Sequence, residues 1–145
     1  MRGTLPASTG GAWRVLNAGP DALPPLAAEL EARGIRSPEA AAPEAIPLAR
    51  ELAAAGVPLT DEPGGAGIQV AVVATRLPLD RERLDRLRAL CRERPTIAVG
   101  LQNDAFLDEV PEAAVTLSAA DQTPLTRRVV ARALAAMHAG LARAG

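Results

Sequence analysis

Residues 68–74 read Ile-Gln-Val-Ala-Val-Val-Ala. The run is continuous and β-branched, with no stripe of period 3.6 and no clean polar alternation. Such a run fits a parallel strand covered on both faces. Parallel neighbours need crossover connections of a dozen or more residues. The rest of the chain therefore has to supply helices between strands.

It does so in alternation. Trp13–Ala18 (WRVLNA) reads as a strand closed by Gly19-Pro20. A helix follows, with Leu23, Leu26 and Leu30 on one face, Pro24 and Pro25 near its first turn and Gly34 at its end. Residues 35–42 carry no decisive period, and Ile35-Arg36-Ser37 fits either a stunted strand or plain loop. A second helix places Ile46, Ala49, Leu52 and Ala53 on one stripe, with Pro47 in its first turn and Gly56 at its end. Val57–Thr60 fits a short edge strand, since Pro58 cannot serve a central one. Asp80 caps a third helix carrying Leu84, Leu87, Leu90 and Cys91 on one face. Glu82 and Arg86 are spaced i,i+4 on the other. Thr96–Val99 and Ala113–Leu117 read as further strands. Thr123-Pro124 opens a last helix with Leu125, Val129, Ala133, Met137 and Leu141 as its apolar stripe. The expected fold is a three-layer α/β sandwich, a mostly parallel sheet with helices on both faces, flavodoxin-like or Rossmann-like. Residues 1–11 read as a linker-like segment, and 12–145 as one α/β domain.

Composition removes several functions. The chain has 145 residues, one Cys and a formal net charge of −1. One Cys allows no internal disulfide. The charge gives no reason to expect nucleic acid or an anionic membrane as partner. No apolar run approaches the roughly 20 residues that span a bilayer. The start lacks a secretory apolar core, so a soluble, cytoplasmic chain is expected. There is no lysine, which excludes a Walker A loop, a Schiff-base lysine and the lysine of receiver domains. Trp13 and Phe106 are the only aromatics.

Few residues carry chemistry. His138 and Cys91 fall on or beside apolar helix stripes and are expected to pack. With one His and one Cys no metal site is expected, nor any cofactor. Gly64-Gly65-Ala66-Gly67 precedes a strand, whereas a dinucleotide loop follows one. Open parallel sheets bind ligands at the carboxyl ends of their strands. That edge would gather Asn17, Asp21, Thr75, Arg76, Gln102, Asn103 and Asp104 as ligand or interface candidates, with a plain turn at Asn17–Asp21 the blander alternative. No catalytic residue is expected. A weaker reading has a hydrolase acting through Asp61, Glu62 or Asp104, because paired carboxylates do acid/base work.

Residues 70–134, from Val70-Ala71-Val72-Val73-Ala74-Thr75-Arg76 to Val129-Val130-Ala131-Arg132-Ala133-Leu134, carry a resemblance, and so does the start through Trp13-Arg14-Val15-Leu16-Asn17-Ala18-Gly19-Pro20. Both resemble the C-terminal domain of bacterial family 3 glycoside hydrolases of the β-N-acetylhexosaminidase kind. In that family one strand ends in Ala-Thr-Arg-Asn and the next in a turn of the type Arg-Asn-Pro-Tyr-Asp. Ala74-Thr75-Arg76 fits the first motif. Asn103 fits the second, while Gln102 stands for the Arg, Asp104 for the Pro, and the Tyr is missing. The resemblance implies that catalysis belongs to a (β/α)8 barrel with an Asp nucleophile and a His-Asp pair. A chain of this length cannot hold that barrel beside this domain, so no catalytic residue carries over. The implied function is a non-catalytic accessory domain, with a glycosidase barrel as partner in cis or in trans and Gln102-Asn103-Asp104 as a connecting turn. The alternative is a free-standing module that binds a small ligand at the sheet's carboxyl edge.

Overall fold

The computed structural model describes residues 1–6, 11–19, 47–75 and 78–144. The readings made for residues 20–46 lie outside them: the helix with Leu23, Leu26 and Leu30, Gly34, and the 35–42 stretch. So do the site candidates Asp21 and Arg76.

The described chain is a small α/β fold built on one mixed five-stranded sheet. Its strands are β1 (Arg2–Gly3), β2 (Trp13–Asn17), β3 (Ile68–Thr75), β4 (Thr96–Gln102) and β5 (Val115–Ala119), in the order β1-β5-β4-β3-β2. β2, β3, β4 and β5 pair in parallel, and β1 joins β5 antiparallel. Among the described residues the α-helices are α1 (Pro47–Ala54), α2 (Arg81–Glu93) and α3 (Pro124–Ala144). None is long and apolar enough to cross a membrane.

The burial of β3 follows from its sequence. Successive side chains on a strand point to opposite faces. Val70 and Val72 join one apolar cluster with Leu48, Ala49 and Leu52 of α1 and with Val130, Ala131 and Leu134 of α3. Ala71 and Val73 join another with Leu87 and Cys91 of α2. Pairing with β4 in register, Val72 beside Val99 and Ala71 beside Ala98, continues both clusters across the sheet.

Helix ends follow local rules. The Asp80 side chain accepts a hydrogen bond from the Arg83 amide at 2.8 Å and so caps α2. Thr123 Oγ1 accepts from the Thr126 amide at 3.3 Å at the start of α3. Pro47 opens α1, and Gly56, at φ 89°, lies just beyond its end. On α2, Leu87 and Cys91 are buried while Leu84 and Leu90 are half-buried. On the face toward the β4–β5 connection, Arg88 Nε donates to Glu112 at 2.9 and 3.1 Å, and Arg92 reaches the same carboxylate at 2.9 Å.

Several boundaries differ from expectation. The stripe expected on α3 meets the core only at its far end: Met137 and Leu141 pack against the larger cluster, but Leu125 and Val129 are 67% and 57% exposed, Ala133 is exposed too, and Val130, Ala131 and Leu134 are the buried residues. Residues spaced strictly by four rotate about 40° per step around a 3.6-residue helix. Leu125 and Leu141 therefore cannot share a face, and the buried set follows the i, i+3, i+4 spacing instead. Val57–Thr60 forms only a single bridge, Leu59 beside Trp13. There the Trp13 amide donates to the Pro58 carbonyl and the Thr60 amide donates to the Trp13 carbonyl. The final strand starts at Val115 because the Ala113 amide is still engaged by the Val110 carbonyl. Residues 1–11, expected to be linker-like, supply β1, and Leu5 packs against the larger cluster.

Two predictions come from this packing. Val72→Ala is expected to lower unfolding free energy by about 1–3 kcal/mol in urea titration, through lost burial plus a residual cavity. Glu112, held by Arg88, sits at a pKa of about 2, below its ordinary 4.5. Folding thus favours its charged form, and the contribution is complete above pH 4.5 and lost as pH falls through 2. In thermal melts Glu112→Gln should be less stable than wild type at pH 7, and the gap should close toward pH 2.

Candidate functional site

The carboxyl edge of the sheet is staggered. Asn17, the last residue of β2, pairs with Val72, whereas β3 runs on to Thr75, which pairs with Gln102 at the end of β4. At about 3.3 Å per residue this sets Asn17 roughly 10 Å behind Thr75. The structure therefore brings Thr75, Gln102, Asn103 and Asp104 together and leaves Asn17 apart. Asn17 is engaged locally, its Oδ1 accepting from the Gly19 amide at 3.0 Å.

β4 extends three residues beyond the expected Val99. Gly100 looks like a strand breaker in the sequence, yet it stays paired with Val73 and Ser118. The next turn explains why glycine is needed. A Cβ on Gly100 would lie 3.1 Å from the Asn103 carbonyl oxygen, 3.1 Å from Phe106 Cε1 and 3.3 Å from Asp104 Cα. The chain folds back over its own strand, using the space a side chain would fill. Gln102 makes the reversal at φ 84°, left-handed backbone that costs an L-residue roughly 1–2 kcal/mol.

Local bonds then fix the turn. Asn103 Oδ1 accepts from the Ala105 amide at 3.0 Å, and the Asp104 carbonyl accepts from the Leu107 amide at 2.9 Å. Ser118 Oγ donates to Asp104 Oδ2 at 2.6 Å, tying the turn to β5. Buried Phe106 and Leu107 anchor the 3-10 turn Ala105–Glu109 that follows. Thr75 is 3% exposed and Asp104 is exposed. Ser118 was missed in the sequence because its place opposite Gly100 depends on strand register.

The other reactive side chains lie elsewhere. Burial pushes the Cys91 thiol up to about 11, which suppresses the thiolate that a nucleophile needs. His138 packs edge-on against Trp13 with ring centroids 5.2 Å apart, and its Nε2 meets the Gly11 carbonyl oxygen at 2.9 Å. Asp61 and Glu62 lie in the loop before β3, at the amino end of the sheet, and Asp104 lies beyond its carboxyl end. An eight-residue strand separates them by about 25 Å, too far for the 5–9.5 Å that paired glycosidase carboxylates need. Among the described residues no group of three His, Cys, Asp or Glu side chains could hold a metal ion. A separate open cleft of about 290 Å³ lies at the β1 edge, between the 105–109 turn and the start of β5. There Arg2 and Asp108 form an exposed ion pair at 2.6 Å.

No protein-family model, no curated protein and no solved structure matches this chain.

Two substitutions in the turn should move stability in opposite directions. Gly100→Ala is expected to cost about 1–3 kcal/mol, because the backbone oxygen of Asn103 must give way. Gln102→Gly should be neutral or stabilising by up to about 1 kcal/mol, as strain relief offsets added chain entropy. Chemical denaturation of both variants checks the pair.

Proposed function

We propose that this chain is a non-catalytic accessory domain of the kind it resembles, the C-terminal α/β domain of family 3 glycoside hydrolases. In this reading it is a three-layer, flavodoxin-like sandwich whose carboxyl edge packs against a (β/α)8 catalytic barrel, in cis or in trans. The observation that carries the reading is the Gln102-Asn103-Asp104 turn. It stands where the resemblance places the family's second motif, and its polar groups are spent on its own architecture: Asn103 on Ala105, Asp104 on Ser118. A carboxylate already holding a neighbouring strand suits a connecting turn better than an acid/base. Two apolar clusters that divide the alternate residues of β3 support the layered arrangement.

At the rim Gln102 and Asn103 are half-buried and Asp104 is exposed. Arg76, next in sequence after Thr75, adds a planar donor fork of the type enriched at interface hot spots.

The test has two arms. The isolated chain should not turn over chromogenic N-acetylglucosaminides or glucosides. It should bind a β-N-acetylhexosaminidase-type barrel domain encoded beside it in the genome, and Arg76→Ala should weaken that binding by about tenfold or more in calorimetry. Turnover that disappears in Asp104→Ala would overturn the non-catalytic reading. A barrel domain that does not bind the wild-type chain would overturn the docking.

A further inference from the structure

α3 differs from α2 in how its charges are met. Four of the five arginines of α2 face carboxylates close by: Arg83 faces Asp80, Arg86 faces Glu82 at 3.5 Å, and Arg88 and Arg92 share Glu112. α3 carries Arg127, Arg128, Arg132 and Arg143, and no Asp or Glu along its 21 residues. Among the described residues no carboxylate forms an ion pair with any of these four. Arg127 sits half-buried and donates to the Gln122 carbonyl, while Arg128, Arg132 and Arg143 are exposed.

The same face holds Leu125 and Val129, which with Met1 are the exposed large apolar side chains of the described protein. At 100° per residue, Leu125, Val129, Arg132, Ala136, Gly140 and Arg143 fall within one narrow sector opposite the buried Val130, Ala131 and Leu134. Between Leu125 and Arg143 this sector is small: Ala133 and Ala136 are exposed, and a Cβ on Gly140 would meet nothing within 4 Å. Small residues allow another helix axis to approach to the 8–10 Å of close packing.

From this juxtaposition of arginines without an ion pair among the described residues, two exposed apolar side chains and a low central surface, we propose that the outer face of α3 docks an acidic amphipathic helix of a partner protein. The proposal is independent of the barrel reading above. Charge complementarity selects the occupant. A second copy laid symmetrically on this face would bring six exposed arginines together with no acid on either helix. A helix with Leu flanked by Glu or Asp instead meets both features at once, covering Leu125 and Val129 and neutralising Arg128, Arg132 and Arg143.

The experiment uses the full chain and a synthetic acidic helix of about 20 residues, matching the ~27 Å between Leu125 and Arg143. The helix carries Leu at i,i+4 spacing flanked by Glu, and a counterpart with Lys for Glu is the control. Titration followed by ¹⁵N–¹H spectra should give shifts confined to residues 125–143 with the acidic peptide alone. Affinity should fall by about fivefold or more when salt is raised beyond the ~10 Å screening length. Arg128→Glu with Arg132→Glu should weaken binding about tenfold, and so should Leu125→Ser with Val129→Ser. All four side chains are exposed, so circular dichroism should report unchanged helix. Equal binding of the Lys peptide, shifts elsewhere on the protein, or unaltered binding by either double variant would overturn the proposal. So would binding to phosphatidylglycerol vesicles without binding to the peptide, or a sedimenting dimer that Leu125→Ser dissolves.

Discussion

The parallel pairing of β3 with β4 is the constraint on which the rest of the molecule depends. The two strands pair in register from Gln69 beside Thr96 to Thr75 beside Gln102, and burial on both faces makes such backbone pairing obligatory. Val70 and Val72 commit one face to α1 and α3, while Ala71 and Val73 commit the other to α2. A slip of one residue would exchange the faces and send valines where alanines pack.

Register also decides what the carboxyl edge can do. Because Thr75 lies beside Gln102 and Gly100 beside Ser118, the turn after β4 has a floor on which to fold and a hydroxyl to hold it. The polar groups of the turn are thus used in reversing the chain. α3 instead carries four arginines and no acid, and among the described residues none of the four is in an ion pair, so a positive helix flank stands apart from the edge where parallel sheets bind ligands.

The elements whose signals are local were readable from residues alone. The β3 run, the Asp80 cap and the Thr123-Pro124 start are each set within a few positions, and each stands where expected. What depends on distant partners was not. Gly100 looked like the end of a strand because its need for space arises from Asn103 and Phe106 after the chain returns. A stripe of period four looks continuous in sequence but winds around a 3.6-residue helix, so on α3 only its Met137 and Leu141 end meets the core. Asn17 was grouped with Thr75 because the stagger between β2 and β3 leaves no trace in either strand. β1 is two residues long, and only its pairing with β5 makes it a strand.

The contact of His138 with the Gly11 carbonyl spans 127 residues. β1 likewise waits for β5, and the cluster beneath Trp13 and Val70 waits for Val130 and Leu134 of α3. A ribosome adds roughly 5–20 residues per second, so the stretch from Thr75 to Leu134 takes about 3–12 s to make. Through that interval β2 and β3 already exist while the face that α3 covers is still open. α3 acts as a keystone made after the strands it covers, and until it arrives that face of the sheet has to be shielded by something else.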